Sequence, residues 1–388
     1  MADHIFMLAG EASGDKLGGS ILREMRSRGY DDRITGIGGV EMQAEGLEPL
    51  FEMEELTVMG IGGAIKNYSP LKKRLHQLVQ HIRLTKPRMV FTIDSKAFSL
   101  RLGKTLKAVM AKEGWSVPVV HLVAPTVWAW GSWRAKSIPD CVDHLLCLFP
   151  FEVPYFTKYG ASAHAVGHPA IDIEWPAQRQ ARAYLNFEQD EVIIGLFPGS
   201  RRREVAGLLP EMVEAIRLLR ERHPQIKAIL PAASSVRQNI EEFLTPEDGI
   251  QLLDEADRYH AMKAADYGLI CSGTVTLETA LSGLNGSAYY AADSVSVFIG
   301  KRLVDMTKVI LPNAITGEEI YTLQINKEFT AASMAAKVDE YLDAPKASGL
   351  HIGQKLKTAL TPHGNSGERG IKFDHNVVDV IDDILNAS

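Results

Sequence analysis

Short runs of β-branched, aromatic and aliphatic residues alternate with amphipathic stretches of helical period over most of the chain, and this alternation constrains the fold more than any other feature. The runs IFML, RMVFTI, VPVVHLV and DHLLCLF form a first series, with helical sequence from Gly14 and through Lys104 between them. A second series starts at EVIIGLFP and continues through IKAILPA, GIQLL, YGLICS and GSAYYAA, with a helix after Ser200. Strands separated by helices pair in parallel, because a crossover is needed to bring the chain back to the same end of the sheet. The chain therefore reads as α/β, with two doubly wound, Rossmann-like domains. At 388 residues it is long for one core, which agrees. The segment GHPAIDIEWPAQRQ (167–180), with two prolines and no period, is the expected hinge. We expect one domain over 1–168, a second over 169–360, and a C-terminal helical segment, 361–388, that returns to the first.

Composition fits a packed, water-soluble fold, with 46% hydrophobic and 23% charged residues and no low-complexity tract. The opening MADHIFMLAG lacks the basic head and apolar core of a secretory signal. The longest apolar run, the 13 residues VVHLVAPTVWAWG from Val119, is broken by His121 and Pro125 and falls short of the roughly 20 that a spanning helix needs. A cytoplasmic protein that does not cross a bilayer is expected. Cys141, Cys147 and Cys271 form no CxxC pair and read as small buried residues. Charge is uneven: residues 1–168 hold 20 Lys and Arg against 17 Asp and Glu, whereas 169–388 hold 22 against 31. Residues 66–112 alone carry 12 cations and one acid, Asp94, so an anion is expected near them. An acidic total of −6 and the lack of any recognised module argue against nucleic acid as a partner.

Ligands collect at the carboxyl ends of parallel strands, and four such junctions carry chemistry. In LFPGSRRREV (196–205), Gly199, Ser200 and Arg201 join a buried strand to a helix start, where backbone N–H groups and a guanidinium suit a diphosphate. No GKS or GKT follows and the glycines do not make GxGxxG, which argues against a Walker loop and a dinucleotide site. In CSGTVTLETA (271–280), Ser272, Gly273 and Thr274 repeat the anion-binding arrangement, and Glu278, one turn on, can accept two vicinal ribose hydroxyls; a plain helix cap is the competing reading. In AGEASGD (9–15), Glu11, Ser13 and Asp15 favour sugar hydroxyls over phosphate. Asp94 ends the VFTIDS strand, as a general base for an acceptor hydroxyl or as a helix cap. APTVWAWGSW (124–133) places three tryptophans, Trp128 among them, within six positions, as a sugar platform, a lipid contact or core. No DxD, HExxH or Cys/His cluster is present, so cations and helix ends are expected to do the work of a metal at a diphosphate.

Six segments in order, AGEASGD, MQAEG with FEMEELTVMGI, APTVWAW, LFPFE, PGSR and SGTVTLE, span nearly the whole chain, which resembles the lipid-A-disaccharide synthase family. The resemblance implies a GT-B fold, two Rossmann-like domains facing across a cleft. It also implies an inverting, metal-independent transfer, without a cofactor, from UDP-2,3-diacylglucosamine to 2,3-diacylglucosamine 1-phosphate. The product is the β-1′,6 disaccharide of lipid A. It further implies a cytoplasmic enzyme peripherally held at the inner membrane, with anionic inner-leaflet lipids as partners, and is compatible with a homo-oligomer. On this resemblance the family's essential aspartate falls on Asp94, its diphosphate-facing arginine on Arg201 and its ribose-binding glutamate on Glu278. Glu11, Ser13, Asp15 and Trp128 lie on the acceptor side, and Asn313 and Gln324 are donor-lobe ligands. Two departures stand out: Ser95-Lys96-Ala97-Phe98 follows Asp94 where the family has a Pro-Asp-Phe run, and the Gly317 to Gln324 spacing is short. Competing readings are another GT-B enzyme, such as a peptidoglycan glucosaminyltransferase or a UDP-sugar epimerase, and a two-lobed solute-binding protein.

Overall fold

A computed structural model describes residues 4–56, 68–128, 131–291, 310–344, 349–362 and 372–387. The FEMEELTVMGI segment beyond Leu56, Lys66 of the basic run and Trp130 of the aromatic cluster lie outside the described residues. The chain divides into unit 1, Met1–Asp172 with Leu360–Ser388, and unit 2, Ile173–Ala359.

Unit 1 contains β1 (His4–Ala9), α1 (Ala12–Ser27), β2 (Arg33–Ile37), α2 (Val40–Ala44), β3 (Leu47–Pro49), α3 (Tyr68–Thr85), β4 (Met89–Ile93), α4 (Lys96–Glu113), β5 (Val119–Leu122), β6 (His144–Cys147), α5 (Val153–Thr157) and β7 (Ser162–Ala165). Its sheet is parallel in the order β3-β2-β1-β4-β5-β6-β7. Unit 2 contains α6 (Gln178–Tyr184), β8 (Ile193–Phe197), α7 (Arg202–Arg222), β9 (Lys227–Ala232), α8 (Arg237–Phe243), β10 (Ile250–Asp254), α9 (Arg258–Ala264), β11 (Tyr267–Cys271), α10 (Thr274–Leu281), β12 (Asn285–Tyr290), α11 (Leu311–Thr316), β13 (Thr322–Ile325), α12 (Ala331–Asp343) and α13 (Leu350–Leu360, whose last residue belongs to unit 1). This sheet is also parallel, in the order β10-β9-β8-β11-β12-β13. The final helix, α14 (Phe373–Ala387), belongs to unit 1.

Strands β4, β5, β8 and β11 are buried at every position, which requires helices on both faces and explains their unbroken apolar runs. α7 shows the matching helical pattern: Val205, Leu208, Leu209, Met212, Val213, Ile216 and Leu219 form one buried stripe against its sheet. In unit 1, one face packs Leu78, Ile82, Leu102 and Leu106 of α3 and α4 over Phe6 and Val90. The other face packs Ile21, Leu22 and Met25 of α1 with Val377, Ile381 and Ile384 of α14. Polar contacts hold α14 there. Arg28 Nη1 lies 2.6 Å from Asp379 and 3.0 Å from Asp382, Tyr30 also bonds Asp382, and Asn376 Nδ2 donates to the Val166 carbonyl at 3.1 Å. The last helix is thus part of the first sheet's hydrophobic face. Among the described residues no helix is long and apolar enough to cross a membrane.

Because Ile381 is fully buried between α14 and the sheet, Ile381→Ala should lower the stability of unit 1 by about 2–5 kcal/mol. Four of the five tryptophans belong to unit 1, so urea unfolding followed by tryptophan fluorescence reads this loss as a lower midpoint.

Candidate functional site

In an open α/β sheet the crevice forms where successive connections leave in opposite directions. That point lies between β1 and β4 in unit 1 and between β8 and β11 in unit 2. Both hold the polar loops singled out above.

At the first switch point a cavity of about 810 Å³ opens, walled by Glu11 after β1, Asp94 to Phe98 after β4, Leu71, Lys72 and Leu75 of α3, and Leu56. The crests of β1 and β4 approach so closely that a Cβ on Gly10 would stand 2.1 Å from Ser95 Oγ and 2.9 Å from its Cβ, so a larger residue would displace Ser95. Asp94 (φ +49°) and Ser95 (φ +46°) both take the left-handed conformation, as does Val123 (φ +76°) at the end of β5. Such residues store about 1–3 kcal/mol each, and the surrounding hydrogen bonds must hold them. Asp94 N–H donates to the Leu122 carbonyl at 3.0 Å, Val123 N–H to the Leu146 carbonyl at 3.1 Å, and Ser99 Oγ to the Asp94 carbonyl at 2.9 Å. This turn places Asp94 on the cavity wall, with Lys96 Nζ 3.8 Å from its carboxylate. Below it, His121 is fully buried and bonded to Thr92 Oγ1 at 2.8 Å; burial pushes its pKa down to about 3, and nearby Lys96 adds to the shift.

The other acceptor-side residues divide. Glu11 lines the cavity, while Ser13 is exposed on the first turn of α1. Asp15 does not present itself to a ligand. It is buried, and its carboxylate accepts the backbone N–H groups of Gly39, Glu41 and Met42 at 2.7, 3.0 and 3.1 Å, so it caps α2 instead. Trp128 is likewise core and not a sugar platform: it is buried, its Nε1 donates to Glu152 Oε1 at 3.1 Å, and it meets Phe151 edge-on at 5.3 Å. Glu152 also accepts the Phe149 N–H at 3.3 Å, and burial raises its pKa to about 7. The basic run is partly neutralised locally: Arg74, Arg83, Arg88, Lys96 and Lys107 each have a carboxylate within 4 Å.

At the second switch point the loops after β8 and β11 touch. Gly199 (φ +102°) faces Cys271 so closely that a Cβ would lie 3.1 Å from its Sγ and 2.5 Å from Glu204 Oε2. Burial pushes the Cys271 thiol up to about 12, and Glu204 adds to the rise. The backbone N–H groups of Ser200 and Arg201 donate to Glu204 Oε2 at 3.2 Å each, and Arg201 Nη1 lies 2.7 Å from Oε1. The turn expected to offer these donors to a diphosphate thus holds its own carboxylate, while the Arg201 side chain is 80% exposed. The open turn is at α10: Ser272 N–H continues the ladder to the Tyr289 carbonyl at 2.7 Å, and Gly273 and Thr274 are exposed. Glu278 is mostly buried, which raises its pKa above the ordinary range, and Arg258 Nε at 3.6 Å opposes the rise. Arg258 lies over the Tyr259 ring at 4.1 Å.

Asn313 is not placed as a ligand. Its Oδ1 accepts from Ile320 N and Tyr321 N at 2.9 and 3.0 Å, and its Nδ2 donates to the Tyr321 carbonyl at 2.8 Å, so the side chain pins the turn before β13. Gln324 lies on edge strand β13, with Oε1 accepting from Ser333 Oγ at 3.4 Å. Sequence reasoning missed Glu204 and Arg258, although both stand in the first turn of a helix that follows a strand. It also missed Glu152, visible only as the last residue of LFPFE.

Two parallel sheets, each with a polar crevice at its switch point, define a GT-B fold, the architecture of nucleotide-sugar transferases and epimerases. Similar solved structures include UDP-GlcNAc 2-epimerase from Neisseria meningitidis bound to UDP-GlcNAc (TM-score 0.58, 11% identity, 99% of each chain) and MurG of Acinetobacter baumannii (TM-score 0.56, 12% identity, 98% of this chain and 99% of that one). At such identity the likeness speaks for the fold alone. The model of the lipid-A-disaccharide synthetase family matches residues 5–364. The lipid-A-disaccharide synthase of Paramagnetospirillum magneticum is 34% identical over 389 residues, covering 97% of both chains. That of Granulibacter bethesdensis is 34% identical over 361 residues, covering 92% of this chain and 90% of the other. The chain belongs to the lipid-A-disaccharide synthetase family, a family of glycosyltransferases.

Glu152 gives the aromatic segment a pH signature. Its folded pKa, about 7, lies above the ordinary glutamate value of 4.5, so its contribution is complete below pH 4.5 and is lost as pH rises toward 7. Glu152→Gln should flatten the decline in unit 1 stability across this window, measured as urea midpoint against pH.

Proposed function

We propose that this chain transfers 2,3-diacylglucosamine from its UDP conjugate to 2,3-diacylglucosamine 1-phosphate, forming the β-1′,6 disaccharide and UDP. The observation that carries this reading is the cavity around Asp94. It joins two carboxylates, Glu11 and Asp94, to cations and to an apolar wall of Leu56, Leu71, Leu75 and Phe98, as an amphiphilic sugar acceptor requires. Family membership supplies the reaction class.

In this mechanism Asp94 takes the proton from the acceptor 6-hydroxyl as that oxygen attacks the donor's anomeric carbon. The bond from that carbon to the diphosphate breaks, its electron pair leaves with UDP, and the configuration inverts. Unit 2 holds the nucleotide. The first turn of α10 at Gly273 and Thr274 faces one phosphate, Arg201 swings from Glu204 to neutralise the charge developing on the leaving group, and Glu278 accepts the ribose hydroxyls. No metal is required, because the guanidinium and helix start carry that charge.

The chain would work at the cytoplasmic face of the inner membrane. Lys72 and Lys73 of α3 are exposed, as are Leu84 (81%) and Trp133 (71%), a mixture suited to anionic lipid headgroups.

With both acylated substrates, Asp94→Asn should lower kcat about 10²- to 10⁴-fold with little change in acceptor KM. Near-normal turnover would remove Asp94 from the base role. Arg201→Ala should cost about 2–4 kcal/mol in kcat/KM through kcat, and a change confined to KM would contradict the leaving-group role. Co-sedimentation with vesicles containing anionic phospholipid should decline as salt rises, whereas salt-independent binding would argue against the charged surface.

A further inference from the structure

The first turn of α4 separates two cavities. The one described above lies on its β1 side, and a second, of about 640 Å³, lies on its β5 side between α4 and the segment after Pro125. Lys96 and Ala97 line both. The second cavity is walled by Leu100, Pro125, Ile138 and the exposed ring of Trp133, with Arg134 at its edge. Each cavity is therefore largely apolar, and both have Lys96 at their common border.

Lys96 is held by a long ion pair with Asp94. A lysine in the first turn of a helix faces the positive end of the macrodipole, and no acid in that turn offsets it. Its contact with Asp94 is 3.8 Å long, beyond hydrogen-bond distance, and its side chain is 36% exposed. An ammonium has three donors, so Lys96 can engage an anion on the ridge while remaining beside Asp94. Lys72 and Arg101 add positive charge around the first cavity and Arg134 around the second. The small Ala97 side chain keeps the crest of the ridge low.

We propose that the first turn of α4 is a saddle for a two-chain anionic lipid: Lys96 holds the phosphate of the acceptor, and one acyl chain lies in each flanking cavity. This rests on the acceptor reading above and adds to it the residue that selects the phosphate and the path of the two chains. Charge complementarity and the paired apolar walls fit a phosphorylated diacyl amphiphile better than a single-chain or neutral ligand.

The test is direct binding to the full chain by titration calorimetry, below the micelle concentration of each ligand. The probes are 2,3-diacylglucosamine 1-phosphate, the same compound without phosphate, and a singly acylated glucosamine 1-phosphate. Lys96→Ala should weaken binding of the phosphorylated two-chain ligand about tenfold, the loss expected for one charge-assisted contact, and leave the dephosphorylated ligand unchanged; Lys96→Arg should restore most of it. Ser137→Phe, from an exposed position lining the second cavity, should weaken the two-chain ligand several-fold and spare the one-chain ligand. Equal loss for phosphorylated and dephosphorylated ligands in Lys96→Ala overturns the phosphate contact. A Ser137→Phe variant that treats one- and two-chain ligands alike overturns the second chain path. Phospholipid in place of the acceptor showing the same Lys96 dependence assigns the saddle to bilayer lipid and also overturns the proposal. Should the unsubstituted chain bind with this pattern yet make no disaccharide, the reaction reading falls and the lipid saddle stands; disaccharide formation without the pattern has the opposite meaning.

Discussion

Parallel pairing of β1 with β4 and of β8 with β11 is the constraint on which the rest depends. In each pair the strands leave for opposite sides of the sheet, so the loops after them are not bridged by a neighbouring crossover. Hydrogen bonding then brings residues 10–11 beside 94–98 in one unit and residues 198–201 beside 272–274 in the other. The crests are closely packed: one more carbon on Gly10 would displace Ser95, and one on Gly199, whose φ is +102°, would displace Glu204. Exchange of function between sites of this kind needs no change of scaffold, only of the few residues standing on the crests.

Acidic residues near these crests serve two purposes that look alike in a linear chain. Asp15 and Glu204 turn inward and satisfy backbone N–H groups at helix starts, fixing the loops against the sheet. Asp94 and Glu11 are left on a cavity wall, and Glu278 is mostly buried opposite Arg258. What separates the groups is geometry at the scale of one bond. Asp94 is directed outward by two consecutive left-handed residues, a conformation that β4, β5 and Ser99 hold in place through hydrogen bonds. The amide nitrogens that Glu204 satisfies show why a PGSR loop is not open by default: a helix start attracts any anion, and the nearest one belongs to the chain itself.

The parts of the fold legible in sequence are those buried on both faces. IFML, RMVFTI, EVIIGLFP and YGLICS correspond to central strands whose every side chain meets a helix, so they read as continuous apolar runs. β3, β7 and β13 escaped notice because they are short edge strands with polar or exposed positions, and β2 because glycine interrupts it. The crest positions of Glu11, Asp94 and Gly199 were legible because each stands one or two places beyond a strand; Arg201 and Glu278 lie further on, at a helix start and inside a helix. Asp15, Trp128 and Asn313 have internal partners 7 to 27 residues away, and no local pattern announces these contacts.

By itself, then, the chain determined two parallel sheets, their central strands and which loops lie at those strand ends, since period and burial act over neighbouring residues. Tertiary structure alone decided which polar groups face a cavity and which serve as internal caps. The return of the C-terminal segment was expected from sequence, but tertiary structure chose its partner: α14 closes the apolar face of α1 with residues more than 340 positions downstream. Long-range packing selects among partners that sequence spacing leaves equivalent, and here that selection separates a site residue from a structural one.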